Sequence, residues 1–211
     1  MCRLWWALVR LFFHLLYNEF AWTYDLVAWA VSLGQWKAWG RTAIPHLRGE
    51  RMLELAHGPG HLLVAMAERG LAPVGLDLSP YMSHLARRRL ERGKLAVPLV
   101  RARAQALPFR DGCFDSAVAT FPAEFIVGPS TLREAARVLG KGGRLVITAW
   151  ARLGERDPLS RFIGWLYRVT GQTEPLPGMG EAVLVEAGFA PRAMWERVGR
   201  SKVMLVVAER Q

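Results

Sequence analysis

Apolar and polar positions fall into two patterns along the chain, with a change near residue 50. Up to residue 17 the apolar positions keep a helical period. Leu4, Leu8, Leu11 and Leu15 share one face, while Arg3, Arg10, His14 and Tyr17 line a narrow opposite stripe with Trp6 and Phe13 beside it. The pattern predicts an amphipathic helix with a wide apolar arc. Such an arc either packs on its own domain or lies in a membrane interface with its arginines reaching the headgroups. Arg10, Glu19 and Asp25 cut this region into pieces shorter than the ~20 apolar residues of a spanning helix, and no small-residue cleavage site follows. A second apolar segment, about 19–34, ends at Gly34, and the run to Gly49, with Pro45 inside it, predicts a short helix and a connector. Residues 1–48 are therefore expected to form a helical cap, and residues 49–211 the main domain.

From Arg51 the pattern alternates between short apolar runs and helical stretches. Strands are predicted at Met52–Ala56, Pro73–Asp77, Ala96–Val100, Phe114–Phe121 and Arg144–Trp150. Helices are predicted between them: one running through Leu62 and Met66 to Gly70, one opened by Ser79-Pro80 and closed at Gly93, and one over Ser130–Leu139. Strands separated by helices of this length make βαβ units and a parallel sheet covered on both faces. Past a helix near 157–169, a Pro/Gly-rich loop at 171–180 and a helix ending at Gly188, two runs remain, Arg192–Val198 and Lys202–Ala208. Only Gly199-Arg200-Ser201 separates them, so they form an antiparallel hairpin. The predicted class is α/β, a Rossmann-like sheet of seven strands, mostly parallel, with a C-terminal antiparallel hairpin.

Composition changes this picture little. The chain has 211 residues, enough to bury a core, and 52% hydrophobic residues exclude a disordered chain. Cys2 and Cys113 form neither a disulfide framework nor a metal-ligand spacing, and no metal is expected. The net charge of +10 comes from 24 arginines and four lysines against 18 acids, and +6 of it sits in residues 84–103. Nucleic acid, anionic lipid and acidic ligands are all compatible with that excess. Arg87, Arg88, Arg89 and Arg92, however, are spread around their helix rather than aligned, which reads as a solvated face. Six of the nine tryptophans precede residue 40.

The chemistry concentrates at Glu54-Leu55-Ala56-His57-Gly58-Pro59-Gly60, ending the first strand, and at Asp77, ending the second. Glycines at a strand-to-helix turn let backbone approach a ligand, and the helix start offers free N–H groups. An acid ending the second strand is placed to take the hydroxyls of a ribose. Leu63 stands where a dinucleotide-binding loop needs its third glycine, and the Gly-Lys-Ser/Thr ending of a P-loop is missing. These features indicate a nucleoside-containing cofactor other than a dinucleotide.

With Gly75-Leu76-Asp77-Leu78-Ser79-Pro80-Tyr81-Met82, Ala106-Leu107-Pro108-Phe109, Phe114-Asp115, and Leu132 to Leu139 before Gly142-Gly143, these pieces resemble the class I S-adenosylmethionine-dependent methyltransferases. The group is the one that includes the ubiquinone and menaquinone biosynthesis enzymes. The resemblance covers residues 51–209. It implies S-adenosylmethionine as methyl donor and S-adenosylhomocysteine as product. The Gly loop (Glu54, Ala56, His57, Gly58, Pro59, Gly60) would hold the methionine part, Asp77 the ribose with Leu78 and Met82 nearby, and Ala104, Gln105 and Ala106 the adenine. Thr120 and Phe121, after the fourth strand, would line the place of methyl transfer, and Tyr24-Asp25 would close over the cofactor. Two positions depart from the family pattern: Ala56 stands for a usual glycine, and Arg103 for an Asp near the adenine amino group. Arginine accepts no hydrogen bond, which leaves Gln105 as the acceptor.

Methyl transfer needs a nucleophile held in line and, for a hydroxyl or acidic carbon, a base. His14, Asp25, His57 and Glu124 are the candidates, with Asp25, His14 and Glu124 foremost. Phe121-Pro122-Ala123-Glu124 lacks the polar motif of base-methylating enzymes, which disfavours a flipped base. The aromatic cap favours a small lipophilic acceptor such as a quinone, an isoprenoid or a lipid headgroup. The expected setting is cytoplasmic, within reach of the inner membrane surface. An RNA methyltransferase and a non-catalytic S-adenosylmethionine-binding module are the alternatives; salt-dependent RNA binding, or cofactor binding without turnover, would mark them.

Overall fold

The computed structural model describes residues 23–121, 124–154, 158, 160–161 and 181–211. The predicted helix over residues 1–17, with His14, and the helix and loop predicted at 157–180 lie mostly or wholly outside them. The chain opens with helices α1 (Tyr24–Ser32) and α2 (Trp36–Arg41) and a 3₁₀ turn at Ile44–His46. Then come β1 (Arg51–Leu55), α3 (His61–Ala67), β2 (Ala72–Asp77), α4 (Pro80–Arg92), β3 (Leu99–Arg101) and β4 (Phe114–Thr120). After a 3₁₀ turn at Glu124–Val127 follow α5 (Pro129–Val138), β5 (Leu139–Leu153), α6 (Glu181–Glu186), β6 (Phe189–Val198) and β7 (Ser201–Arg210).

The seven strands form one sheet in the order β3-β2-β1-β4-β5-β7-β6. The first five run parallel, while β7 lies antiparallel to β5 and to β6. The alternation of apolar positions sorts the core onto both faces. Leu53, Leu55, Leu145 and Ile147 pack with Leu132, Ala135 and Val138 of α5 and Leu184 of α6. Met52, Val118 and Val146 pack with Leu62, Leu63 and Met66 of α3 and Leu90 of α4. The order reverses between β1 and β4, which leaves a crevice at the carboxyl ends of those strands, where ligands bind in open α/β sheets.

Local chemistry sets the element ends. The Ser79 hydroxyl accepts from the Met82 N–H, and Pro80 occupies the first turn of α4. Helix α3 ends at Ala67, short of the predicted Gly70. Gly70, at φ +78°, reverses the chain while the Leu71 N–H closes on the Met66 carbonyl. β3 has three residues because Pro98, with no N–H, lends only its carbonyl, to the Gly75 N–H. β5 begins at Leu139 rather than Arg144: Leu139 already pairs with Phe114, and the Gly142-Gly143 segment is absorbed as an irregularity between the pairs of Phe114 and Ser116. The β6–β7 loop holds two residues, Gly199 and Arg200, since Ser201 already pairs with Val198.

Candidate functional site

At the carboxyl ends of β1, β2 and β4 lies a cavity of about 630 Å³. The turn after β1 shapes its floor. Ala56, Gly58 and Gly60 all take positive φ, at +55°, +53° and +78°. A Cβ on Gly60 would come within 2.8 Å of the Ala86 Cβ, so glycine there lets α3 start against α4. Nothing lies within 4 Å of the Cβ position of Gly58, which leaves its backbone open to a ligand. The Asp77 carboxylate accepts from the Gly58 N–H at 2.9 Å and from the Ser79 N–H at 2.8 Å, tying the Gly loop to the end of β2.

Besides Asp77, two polar side chains in this floor are buried. Glu54 is 1% exposed, with Oε2 unpartnered. Desolvation raises its pKa well above the usual carboxylate range, the nearby Asp77 adds to the rise, and a backbone hydrogen bond from Leu63 opposes it. His57 donates Nδ1–H to the Gly58 carbonyl at 2.7 Å, which leaves Nε2 as a buried acceptor without a partner. Burial lowers the pKa of His57, so the ring is held neutral. Its close fit depends on Gly75, where a Cβ would sit 2.9 Å from the imidazole Cδ2.

The loop after β3 is held from α5. Glu134 Oε2 accepts from the Leu107 N–H at 2.7 Å, and Arg137 donates to the carbonyls of Leu107 and Phe109 and to Asp111. The pattern from Leu132 to Leu139 thus acts as a clamp. It holds the loop at Leu107, Phe109 and Asp111, just past Arg103, Ala104 and Gln105, which line the cavity; Gln105 is exposed and able to accept.

The opposite wall is aromatic. Phe121, itself at φ +48°, packs on Trp36 with ring centres 4.5 Å apart and planes tilted by 33°, and Tyr24 meets Trp36 edge-on at 6.3 Å. Trp39, 1% exposed, anchors the group against β5 and β7. Trp36 and Trp39 belong here by their three-residue spacing, a signal the sequence carried unread. Tyr24, Glu54, Ala56, His57, Gly58, Pro59, Asp77, Leu78, Met82, Ala104, Gln105, Thr120 and Phe121 line the cavity, and Phe125, Arg101, Lys37 and Arg41 join them. Gly60 and Ala106 are not among the residues that line it.

Asp25 stands beside the cavity rather than in its wall. Its carboxylate accepts from His61 Nε2 at 2.7 Å and from the Arg89 guanidinium at 2.5 Å, and Arg89 also donates to the Pro59 carbonyl. The hydrogen bond from His61 holds the Asp25 carboxyl below its usual range, while burial keeps His61 neutral. Arg89 therefore differs from its exposed neighbours Arg87, Arg88 and Arg92. It follows Met82 and Ala86 on the buried stripe of α4, the signal that sets it apart. Glu124 opens the 3₁₀ turn after β4.

The buried orphan acceptors, the open backbone at Gly58 and the acid ending β2 suit a cationic amino-acid group joined to a ribose, and the cavity is large enough for both. Comparison with known proteins agrees. Residues 53–147 match the methyltransferase domain family. A demethylmenaquinone methyltransferase of Thermus thermophilus is 36% identical over 171 residues, covering 78% of this chain and 75% of its own. One from Deinococcus radiodurans is 32% identical over 174 residues, covering 78% and 68%. The fold also matches a geranyl diphosphate C-methyltransferase of Streptomyces coelicolor, solved with Mg²⁺, geranyl diphosphate and S-adenosylhomocysteine, at a TM-score of 0.64 and 16% identity over 82% of this chain and 79% of that one. With that sheet order, this Gly loop and these relatives, the chain belongs to the class I S-adenosylmethionine-dependent methyltransferases.

Proposed function

We propose that this enzyme methylates a small lipophilic acceptor of the quinone type, held against the aromatic wall of Tyr24, Trp36 and Phe121. The Trp36–Phe121 pair carries the reading: it presents aromatic surface beside Thr120, in the wall of the cavity at the end of β4. A planar ring gains offset stacking there beyond its area burial. The demethylmenaquinone methyltransferases among the relatives act, by name, on an acceptor of this class.

When bound, S-adenosylmethionine supplies a methyl group on a sulfonium. The chain's own residues do the rest. Glu54, His57, Gly58 and Pro59 receive the amino-acid end, and Asp77, with Leu78 and Met82, receives the ribose. Ala104, Gln105 and Ala106 flank the base. The described residues 23–48 are assigned to a cap that closes over the domain of residues 49–211. Asp25, engaged with His61 and Arg89, is assigned to that closure, which excludes water from the sulfonium. Glu124 and His14 are left as the candidate proton acceptors. Among the described residues no helix is long and apolar enough to cross a membrane. Contact with the inner membrane surface is assigned to segment 1–17, whose sequence pattern is amphipathic.

Incubation with methyl-labelled cofactor and demethylmenaquinol, followed by solvent extraction, tests the reading. Label in the organic phase is expected; label confined to polar products overturns it. Trp36→Ala should raise KM for the quinol at least fivefold and leave cofactor affinity within twofold.

A further inference from the structure

Helix α2 is held in one rotation by its buried side. Trp39 is packed with Ala151 and Leu153 of β5 and Val203 and Leu205 of β7, and Ala43, just past the helix, is buried with Met52, Leu62 and Leu63. Trp36, Lys37, Gly40 and Arg41, at helical spacings i, i+1, i+4 and i+5, are the positions left to line the cofactor cavity. Gly40 has no local need to be glycine. It is not among the positive-φ glycines, and the helix does not stop there, since Thr42 continues in the right-handed region at φ −61°. Its carbonyl accepts from the Ala43 N–H at 3.3 Å. Among the described residues, a Cβ at position 40 would meet the Thr120 Cγ2 alone, at 3.7 Å, an ordinary van der Waals contact. At Gly60 and Gly75, by contrast, a Cβ would come within 2.8 Å and 2.6 Å of neighbouring side chains. Alanine would fit the protein at position 40 and is the better helix former.

The missing Cβ therefore has its use in the cavity. Thr120 gives the direction: it ends β4, lines the cavity, and holds the atom nearest to where a Cβ of residue 40 would lie. Phe121 follows it at φ +48°, a region in which a side chain of this size is strained, and its ring packs on Trp36. Trp36 stands one helical turn before Gly40 on the same face of α2. The aromatic wall thus continues into a gap, one side chain wide, that faces the end of β4. Glycine is the residue that lets a ligand approach a backbone this closely.

We propose that Gly40 is a specificity-determining residue, whose missing Cβ leaves the room taken by an alkyl substituent of the acceptor ring. A ring seated on Trp36 and Phe121 with an isoprenoid chain beside its reacting carbon is admitted, and a side chain at position 40 would admit only the bare ring. The inference rests on the quinone-type reading above. One methylene more or less in an apolar pocket discriminates by about 10- to 200-fold, which sets the size of the effect.

The test compares two acceptors under anaerobic conditions, demethylmenaquinol and the unsubstituted 1,4-dihydroxynaphthalene. The variants are Gly40→Ala and Gly40→Val, with Ala38→Val on the exposed side of α2 as control. Gly40→Ala should lower kcat/KM for demethylmenaquinol at least tenfold, and Gly40→Val further, with 1,4-dihydroxynaphthalene changed by less than about threefold. The control should change neither acceptor by more than about twofold, and all variants should bind S-adenosylhomocysteine within about twofold of the wild type. Equal losses for both acceptors, or a loss of cofactor affinity in Gly40→Ala, overturn the proposal. Gly40→Ala should also melt about 2 °C above the wild type. A lower melting temperature would make the glycine a packing requirement and overturn the proposal as well. Should the wild type methylate neither quinol, the quinone-type reading falls, and binding of the two quinols to S-adenosylhomocysteine-loaded protein, read by calorimetry, tests Gly40 separately. A loss in Gly40→Ala confined to demethylmenaquinol supports the gap, whereas equal losses, or no binding to the wild type, overturn it.

Discussion

Ala56 shows how one methyl group can sit against its own backbone. At φ +55° it occupies the left-handed region where a Cβ costs about 1–2 kcal/mol, in a loop whose other members, Gly58 and Gly60, avoid that cost. Part of the gain from removing the methyl is returned as unfolded-chain entropy. Ala56→Gly should therefore raise the unfolding free energy by about 0.5–1 kcal/mol, read by urea titration. Glu54 works through charge instead. Its raised pKa means that the folded protein binds a proton the unfolded chain releases, so the group's contribution to stability is present at low pH and declines as pH rises through the window above the ordinary carboxylate range. Glu54→Gln should leave the free protein at least as stable at pH 7.5. A cationic ligand favours the ionised form. Cofactor affinity should therefore rise with pH in the wild type and lose that slope in Glu54→Gln, as calorimetry at several pH values will show.

At the scale of elements, the decisive links are between pieces distant in sequence. α1 reaches the Gly loop through Asp25, His61 and Arg89, and α5 reaches the loop after β3 through Glu134 and Arg137. Asp25→Ala should loosen the cap. Limited proteolysis should then cut residues 23–48 faster, and cofactor KM should rise about three- to tenfold with a smaller change in kcat. A larger fall in kcat with KM unchanged would instead return Asp25 to the chemistry. Because the Asp25 carboxyl is held below its usual range, the latch should persist down to acid pH and open as pH falls through that lowered value. The helix start at Ser79-Pro80 was legible because capping is local. The lengths of β3 and β5 were not, since they depend on which partner strand lies alongside Pro98 and Leu139.

For the whole molecule, the entry to β1 is pinned to β4 by Asp115, which accepts from the backbone N–H groups of Glu50 and Arg51 and from the Arg51 side chain. The Arg51 hydrogen bond lowers the Asp115 pKa to about 2. The folded value lies below the unfolded one, so this contribution is complete above about pH 4 and is lost as pH falls toward 2. Asp115→Asn should flatten the acid limb of the stability curve in that window, as thermal melts from pH 5 to 2 will show. The sequence by itself determined the α/β order, the Gly loop, Asp77 and the C-terminal hairpin, because period, turn residues and caps act over a few positions. Tertiary structure decided which of four arginines on α4 holds the loop and which tryptophan packs on Phe121. Those facts follow from strand register and helix packing, which bring together residues whose separation along the chain carries no trace of their neighbourhood.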